Sequence, residues 1–301
     1  MVCLFGRTEP DAHWKGGLAR AFTRKIAAMK PASEFAALSG RPLTFAHRGG
    51  AGLWPENTLE AFRGAIELGC SHLETDLRLT RDGQIVLIHD PSLERTTDGI
   101  GNVSAYTLEQ LRRLDAGYRF SPGGHGFPAR GRGVKIPTFA ELVALSPSVC
   151  FNVEIKERGH PDLPEALWES IRRHDLADRI VVAAEQHPLL ESFRELSEGR
   201  VATSATKREC WEFLLAGGLG LSSRLAVSYQ ALQIPLSVGG WRILTPRLLA
   251  AAHRLGIAVH VWTIDEPAQM SQLMELGVDG IMSDYPDRLL EVVRTRNSES
   301  R

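Results

Sequence analysis

The sequence predicts one α/β barrel of the TIM (β/α)8 type. From residue 43 onward, short β-rich runs alternate with amphipathic helical runs, the pattern of parallel βαβ units. Roughly eight such units in about 250 residues suit a closed barrel better than an open sheet. The chain is 301 residues long and 43% hydrophobic, enough to bury one substantial core.

The candidate strands, in order, are Leu43–His47, His72–Leu79, Gln84–His89, Val149–Ile155, Arg179–Ala184, Val201–Ala205, Ala226–Ile234, Ala258–Ile264 and Gly280–Ser283. Nine candidates exceed eight staves, so one is expected to lie off the barrel. Helical patterns fill most gaps: Thr58–Leu68, Thr138–Leu145, Leu163–His174, Pro188–Leu196, Pro246–Leu255 and Pro267–Leu276. Residues 41–292 are read as a single barrel domain with a loop-rich insertion at about 91–137, after an Asp82-Gly83 hairpin. Residues 1–40 form a leader and 293–301 a tail. In the leader, Leu18, Phe22, Ile26 and Met29 recur at helical spacing among Arg20, Arg24 and Lys25, and Pro31 ends the pattern. A helix packed across the barrel base is the preferred reading, and a peripheral contact with an anionic membrane surface is the alternative.

Charge and cysteine content narrow the function. The chain has 35 basic and 36 acidic residues, a net charge of −1, which disfavours a nucleic-acid partner. Cys3, Cys70, Cys150 and Cys210 are scattered, with no zinc spacing, and read as reduced thiols. No apolar run reaches membrane-spanning length, and no signal peptide is recognised. A cytoplasmic protein without an obligate protein partner is the expectation.

The chemistry concentrates in three segments. In LETDLRLTRDGQIVLIHD (73–90), Asp82-Gly83 is a two-residue hairpin signal. With that turn, Leu77 meets Ile88, Leu79 meets Val86, and Asp76 sits opposite His89 with Glu74 on the same face. In FNVEIK (151–156), Asn152, Glu154 and Lys156 share the face opposite Phe151, Val153 and Ile155. A Glu and a Lys facing a barrel interior are costly unless paired or used, and an ion pair is the plain alternative. Three carboxylates suit a hard divalent cation, Mg²⁺ or Ca²⁺, better than zinc. In TFAHRGGAGLWPENTLEAF (44–62), a strand ends at His47 and Arg48, glycines follow, and Pro55-Glu56-Asn57-Thr58 opens a helix with Asn57 as the expected N-cap. The insertion adds RFSPGGHGFPARGRGVKIP, whose Arg119, Arg130, Arg132 and Lys135 lack acidic neighbours; they suit an anionic substrate, and a solvated loop is the equal alternative. His72, His174 and His253 are expected to be partly exposed structural residues.

Taken together, His47-Arg48-Gly49, PENT, Glu74-x-Asp76, His89-Asp90, Glu154-x-Lys156, LERTTDGIGNV (93–103), VWTID (261–265) and GVDGIMSDYP (277–286) resemble the glycerophosphodiester phosphodiesterases over residues 43–290. That resemblance implies metal-dependent hydrolysis of a glycerophosphodiester to an alcohol and glycerol 3-phosphate. It implies Glu74, Asp76 and Glu154 as metal ligands and His47 and His89 as the acid/base pair. Arg48 and Lys156 then bind phosphate, and Trp262 lines the substrate pocket. The apolar stretch 205–245 resembles the branch with lysophospholipase D enzymes, so head-group cleavage of a lysolipid is the alternative. A glycoside hydrolase is disfavoured, since two carboxylates on a barrel do that chemistry without paired histidines. A fold-retaining binding protein is disfavoured because every expected position is filled.

Overall fold

The computed structural model describes residues 30–39, 42–156 and 162–299. The leader pattern from Leu18 to Met29 therefore lies outside the described residues.

Eleven strands occur among them: β1 Leu43–Ala46, β2 His72–Leu79, β3 Ile85–Leu87, β4 Cys150–Ile155, β5 Ile180–Ala184, β6 Ala202–Thr203, β7 Ala231–Ile234, β8 Ser237–Val238, β9 Trp241–Arg242, β10 Ala258–Val261 and β11 Gly280–Ser283. Eight of them pair in parallel in the order β6-β5-β4-β2-β1-β11-β10-β7. A parallel bridge between Ser204 and Ala231 spans the seam from β6 to β7, with the Ala205 amide donating to the Ala231 carbonyl at 2.7 Å. The barrel is thus nearly closed, as expected. β3 is the ninth, off-barrel strand and runs antiparallel to β2.

The helices are α1 Leu59–Leu68, α2 Leu108–Leu111, α3 Phe139–Val143, α4 Asp162–Arg173, α5 His187–Ser197, α6 Lys207–Gly218, α7 Pro246–Arg254, α8 Pro267–Leu276 and α9 Pro286–Glu299. Threonine hydroxyls cap α1, α2, α3, α6 and α7, each accepting from the backbone amide three positions on. The α2, α6 and α9 helices were not anticipated, and α9 extends into the residues set apart as a tail, as far as Glu299.

The strands bury one face in the barrel and one against the helices. Phe151, Val153 and Ile155 of β4 pack outward with Leu167, Leu190 and Phe193, while Asn152 points in and accepts from Gln233 Nε2 at 2.6 Å. Two short 3₁₀ turns, Ala32–Glu34 and Ala36–Leu38, close the base, where Phe35 and Leu38 pack on Val181, Ala202 and Ala258. The insertion forms its own small core of Leu93, Val103, Leu111, Val134 and Ile136 beside Val86 and Ile88. It covers the mouth, the C-terminal end of the strands, where barrel active sites are built.

The hairpin register differs from expectation by one residue. Leu77 faces Leu87 and Leu79 faces Ile85. Three residues, Arg81-Asp82-Gly83, form the loop: Gly83 N–H donates to the Thr80 carbonyl, and Thr80 N–H donates to Gln84 O, both at 3.0 Å. Gly83 at φ +75° supplies the left-handed residue that this longer turn requires. Asp76 therefore faces Ile88 across the ladder, with the Ile88 amide donating to the Asp76 carbonyl at 3.1 Å. His89 lies beyond the end of β3.

Candidate active site

At the mouth, β2 and β4 run side by side with Asp76 in register with Glu154. Glu74, two residues earlier, points the same way. Carboxylate oxygens of Glu74, Asp76 and Glu154 all lie within 4.8 Å of one another, so acids from two strands do meet. Glu74 and Asp76 are buried.

Cations border this cluster. Lys156 Nζ is 2.8 Å from Glu154 Oε2 and 3.4 Å from Asp76 Oδ1. Arg48 donates its backbone N–H to Glu74 Oε2 at 2.8 Å, while its Nε lies 3.3 Å from Asp76 Oδ2. That double reach depends on Arg48 sitting at φ +51°, an unfavourable region for a side-chain-bearing residue, in the turn after β1.

The electrostatics split the two buried acids. Burial and the Asp76 charge push the Glu74 carboxyl up to about 7. Burial opposes ionisation of Asp76 too, but Lys156 and Arg48 hold it down to about 2. For His47, burial opposes protonation, yet Glu74 and Asp284 outweigh it and raise its pKa. For His89, burial dominates, with Arg48 and Lys156 adding to it against Asp76, and its pKa falls below the ordinary value.

Both histidines are held from behind. His47 Nδ1 lies 2.6 Å from Asp284 Oδ1, and His89 Nδ1 lies 2.6 Å from Asp90 Oδ1. Each pairing orients a ring so that Nε2 is left for other work, and His47 Nε2 is 3.8 Å from Glu74 Oε2.

Four supporting residues were not anticipated. Asn57, expected as an N-cap, instead sits at φ +57°, and Thr58 caps α1. Its Nδ2 donates to Asp76 Oδ2 at 3.0 Å, and its Oδ1 accepts from Thr75 Oγ1 at 2.7 Å. Glu56 accepts from Arg48 Nη1 at 3.0 Å and from both terminal nitrogens of Arg95, which also holds Asp90. Arg78, buried on β2, donates from Nε and Nη2 to the His89 carbonyl and from Nη1 to the Lys156 carbonyl. It ties together the two backbones that carry those side chains.

A cavity of about 380 Å³ opens beside the cluster, lined in part by Glu56, Arg95, Asp284 and Tyr285, and by Arg119 and Phe120 from the insertion. Of Arg119, Arg130, Arg132 and Lys135, the basic residues of the glycine-rich stretch, only Arg119 lines it. Arg130 stacks on Tyr118 and Phe127, and Lys135 donates to the Leu114 carbonyl. Trp262, expected to line the substrate pocket, follows β10 at the mouth and is 42% exposed, but it is not among the residues lining this cavity.

The sequence from residue 47 to 288 matches the model of the glycerophosphoryl diester phosphodiesterase family. The chain belongs to that family. It is therefore a phosphoric diester hydrolase. It is 32% identical over 259 residues to a glycerophosphodiester phosphodiesterase of Caldanaerobacter subterraneus subsp. tengcongensis, covering 84% of this chain and 98% of that protein. Among solved structures, the glycerophosphoryl diester phosphodiesterase domain of a Mycobacterium tuberculosis protein superposes with a TM-score of 0.73. Its identity is 21%, with 85% of this chain and 100% of that domain covered, and it supports the fold. An Oleispira antarctica phosphodiesterase, solved with the product sn-glycerol-3-phosphate, has a TM-score of 0.68 at 25% identity, covering 84% of this chain and 97% of that one. Among the described residues, no helix is long and apolar enough to cross a membrane.

The residues fit a hard divalent cation. The donor set is all carboxylate oxygen, as Mg²⁺ and Ca²⁺ prefer. Three further carboxylates, Glu56, Asp90 and Asp284, border the cluster, each paired with Arg48, Arg95 or a histidine.

Proposed function

We propose that this chain hydrolyses small glycerophosphodiesters to an alcohol and glycerol 3-phosphate, with a divalent cation held by Glu74, Asp76 and Glu154. The observation that carries the reading is the meeting of three carboxylates from two strands beside two histidines, each backed by its own carboxylate. When bound, the cation supplies Lewis-acid polarisation of the phosphoryl oxygens.

The chain's own residues do the rest. Arg48 and Lys156 add fixed positive charge where the phosphoryl group gains negative charge in the transition state, and the planar Arg48 fork offers a two-pronged contact. One imidazole takes the proton of the nucleophile, which is water or the glycerol 2-hydroxyl en route to a cyclic phosphate. The other gives a proton to the departing alkoxide, and each transfer contributes about 10²–10⁴-fold. Asp284 and Asp90 hold the rings in the tautomer that leaves Nε2 free. Trp262 covers the substrate's apolar edge. The names of the curated relatives favour this reading over cleavage of a lysolipid.

The test incubates the protein with glycerophosphocholine or lysophosphatidylcholine, each with Mg²⁺, Ca²⁺ or chelator, and identifies products by mass spectrometry. Choline and glycerol 3-phosphate from the first substrate, absent under chelation, are expected. Turnover of the acylated substrate alone, or turnover that survives chelation, would refute the reading.

A further inference from the structure

The flank and rim of the barrel from α6 to β10 differ from the rest of the surface in two independent ways. The first is charge. No Asp or Glu occurs between Glu212 and Asp265, although the chain has 36 of them in 301 residues. That span carries Arg224, Arg242, Arg247 and Arg254, and no carboxylate partner is recorded for any of the four among the described residues. The second is apolar exposure. Of the eight large hydrophobic side chains exposed among the described residues, Leu215, Leu219, Leu221, Trp241 and Trp262 lie in this span and Trp211 lies just before it.

The two features coincide in space. Trp211 and Leu215 on α6 and Leu219 at its C-cap are spaced four residues apart and so form one stripe along its outer side. The α6 helix follows β6, so its first turn lies at the mouth and the stripe descends the flank. The β8–β9 hairpin follows β7 at the mouth, and its Trp241, 80% exposed, stands next to Arg242. Arg247 lies in the first turn of α7, at the same end, where the helix dipole disfavours a cation. Trp262 completes the rim after β10. The inner residues of this span, such as Phe213, Leu244 and Leu248, are buried, while its outer side leaves tryptophan and arginine exposed close together.

We propose that this face docks the barrel onto an anionic lipid surface, with Trp211 and Trp241 at headgroup depth and Arg242 and Arg247 against lipid phosphates. Tryptophan rings favour the headgroup layer. Each nearby Arg adds attraction to an anionic leaflet and none to a neutral one. A protein groove would satisfy the apolar stripe, but an acid-free stretch of 52 residues flanking the rim fits a diffuse anionic plane. Docked this way, the catalytic mouth sits at the rim of the bilayer, where lipid-derived phosphodiesters are released. The inference stands apart from the proposed hydrolysis, because vesicle binding is read without turnover.

The experiment measures co-sedimentation of the full chain with phosphatidylcholine vesicles containing or lacking phosphatidylglycerol. Binding only to the anionic vesicles, weakening as salt rises, is expected. Arg242→Gln should weaken partitioning about fivefold, and Trp241→Ser about tenfold from its lost ring burial. A paired change in the leader, Phe22→Ser with Ile26→Ser, should leave most of the binding. Three results would each overturn the proposal: no binding, binding wholly lost in the leader variant, or a dimer in sedimentation that Leu215→Lys with Leu219→Lys dissociates.

Discussion

His47 Nδ1 lies 2.6 Å from Asp284 Oδ1, a carboxylate 237 residues away in sequence that β11 delivers to the same rim as β1. The pairing of β1 with β11 makes the first and last barrel strands neighbours, so one end of the chain orients a ring belonging to the other.

Replacing Asp284 with Asn keeps the shape but offers an uncharged partner to the ring. A fall in kcat of about 10- to 100-fold is expected, with KM changed far less, because the carboxylate acts by orienting the His47 ring. Asp90→Asn should behave alike at His89. Steady-state kinetics on both variants check this, and a loss confined to KM would contradict it.

Asn57 supports Asp76 through its amide and occupies a left-handed backbone position at φ +57°. Asn57→Gly retains the backbone freedom and removes the amide. It should therefore fold and lose about 10- to 100-fold in the cation concentration needed for half-maximal activity. Asn57→Ala should lose stability as well, since it keeps neither feature. Titration of activity against Mg²⁺ and Ca²⁺, with thermal melts alongside, separates the two effects.

What could be read from the sequence was what local pattern encodes. Alternation placed Glu154 and Lys156 on the inner face of β4 because Phe151, Val153 and Ile155 had to face the helices. Asp284 and Asp90 carried no legible role, since their partnership with the histidines is a matter of tertiary geometry. Arg78 was silent because its partners are backbone carbonyls. The hairpin slipped by one residue because Asp82-Gly83 mimics a two-residue turn, whereas Thr80 and Gln84 close a three-residue loop. The α6 helix escaped notice because its outer stripe is as apolar as its inner one, which hides the usual two-faced pattern.

His72, expected to be partly exposed, is 5% exposed at the start of β2, with its ring edge against Phe45. Burial pushes its pKa down to about 4. The unfolded chain therefore binds this proton at higher pH than the folded one, so stability falls as pH drops from the ordinary value of 6.5 towards 4. The loss reaches about 3 kcal/mol at full protonation. His72→Gln should flatten that slope between pH 6.5 and 4, as read by urea denaturation at several pH values.

With Glu74 and Asp76 as the proposed ligands, the cation's contribution is expected to depend on pH in a fixed direction. Without added metal, Glu74 releases its proton near 7 in the folded state against 4.5 in the ordinary case. The folded chain thus binds more protons over that window, and its stability declines as pH rises from about 4.5 to 7. A divalent cation bound by this pair as proposed is expected to reverse the trend, because its binding would expel the Glu74 proton. Thermal melts in chelator should therefore worsen towards neutrality, while melts in excess Mg²⁺ or Ca²⁺ should not. The metal-induced gain should be larger at pH 8 than at pH 6. Glu74→Gln removes the charge that costs stability, so in chelator it should melt higher than the parent at pH 8 while responding little to metal. A metal-induced gain of equal size at both pH values, or an unchanged response in Glu74→Gln, would mean that the cation does not engage this pair.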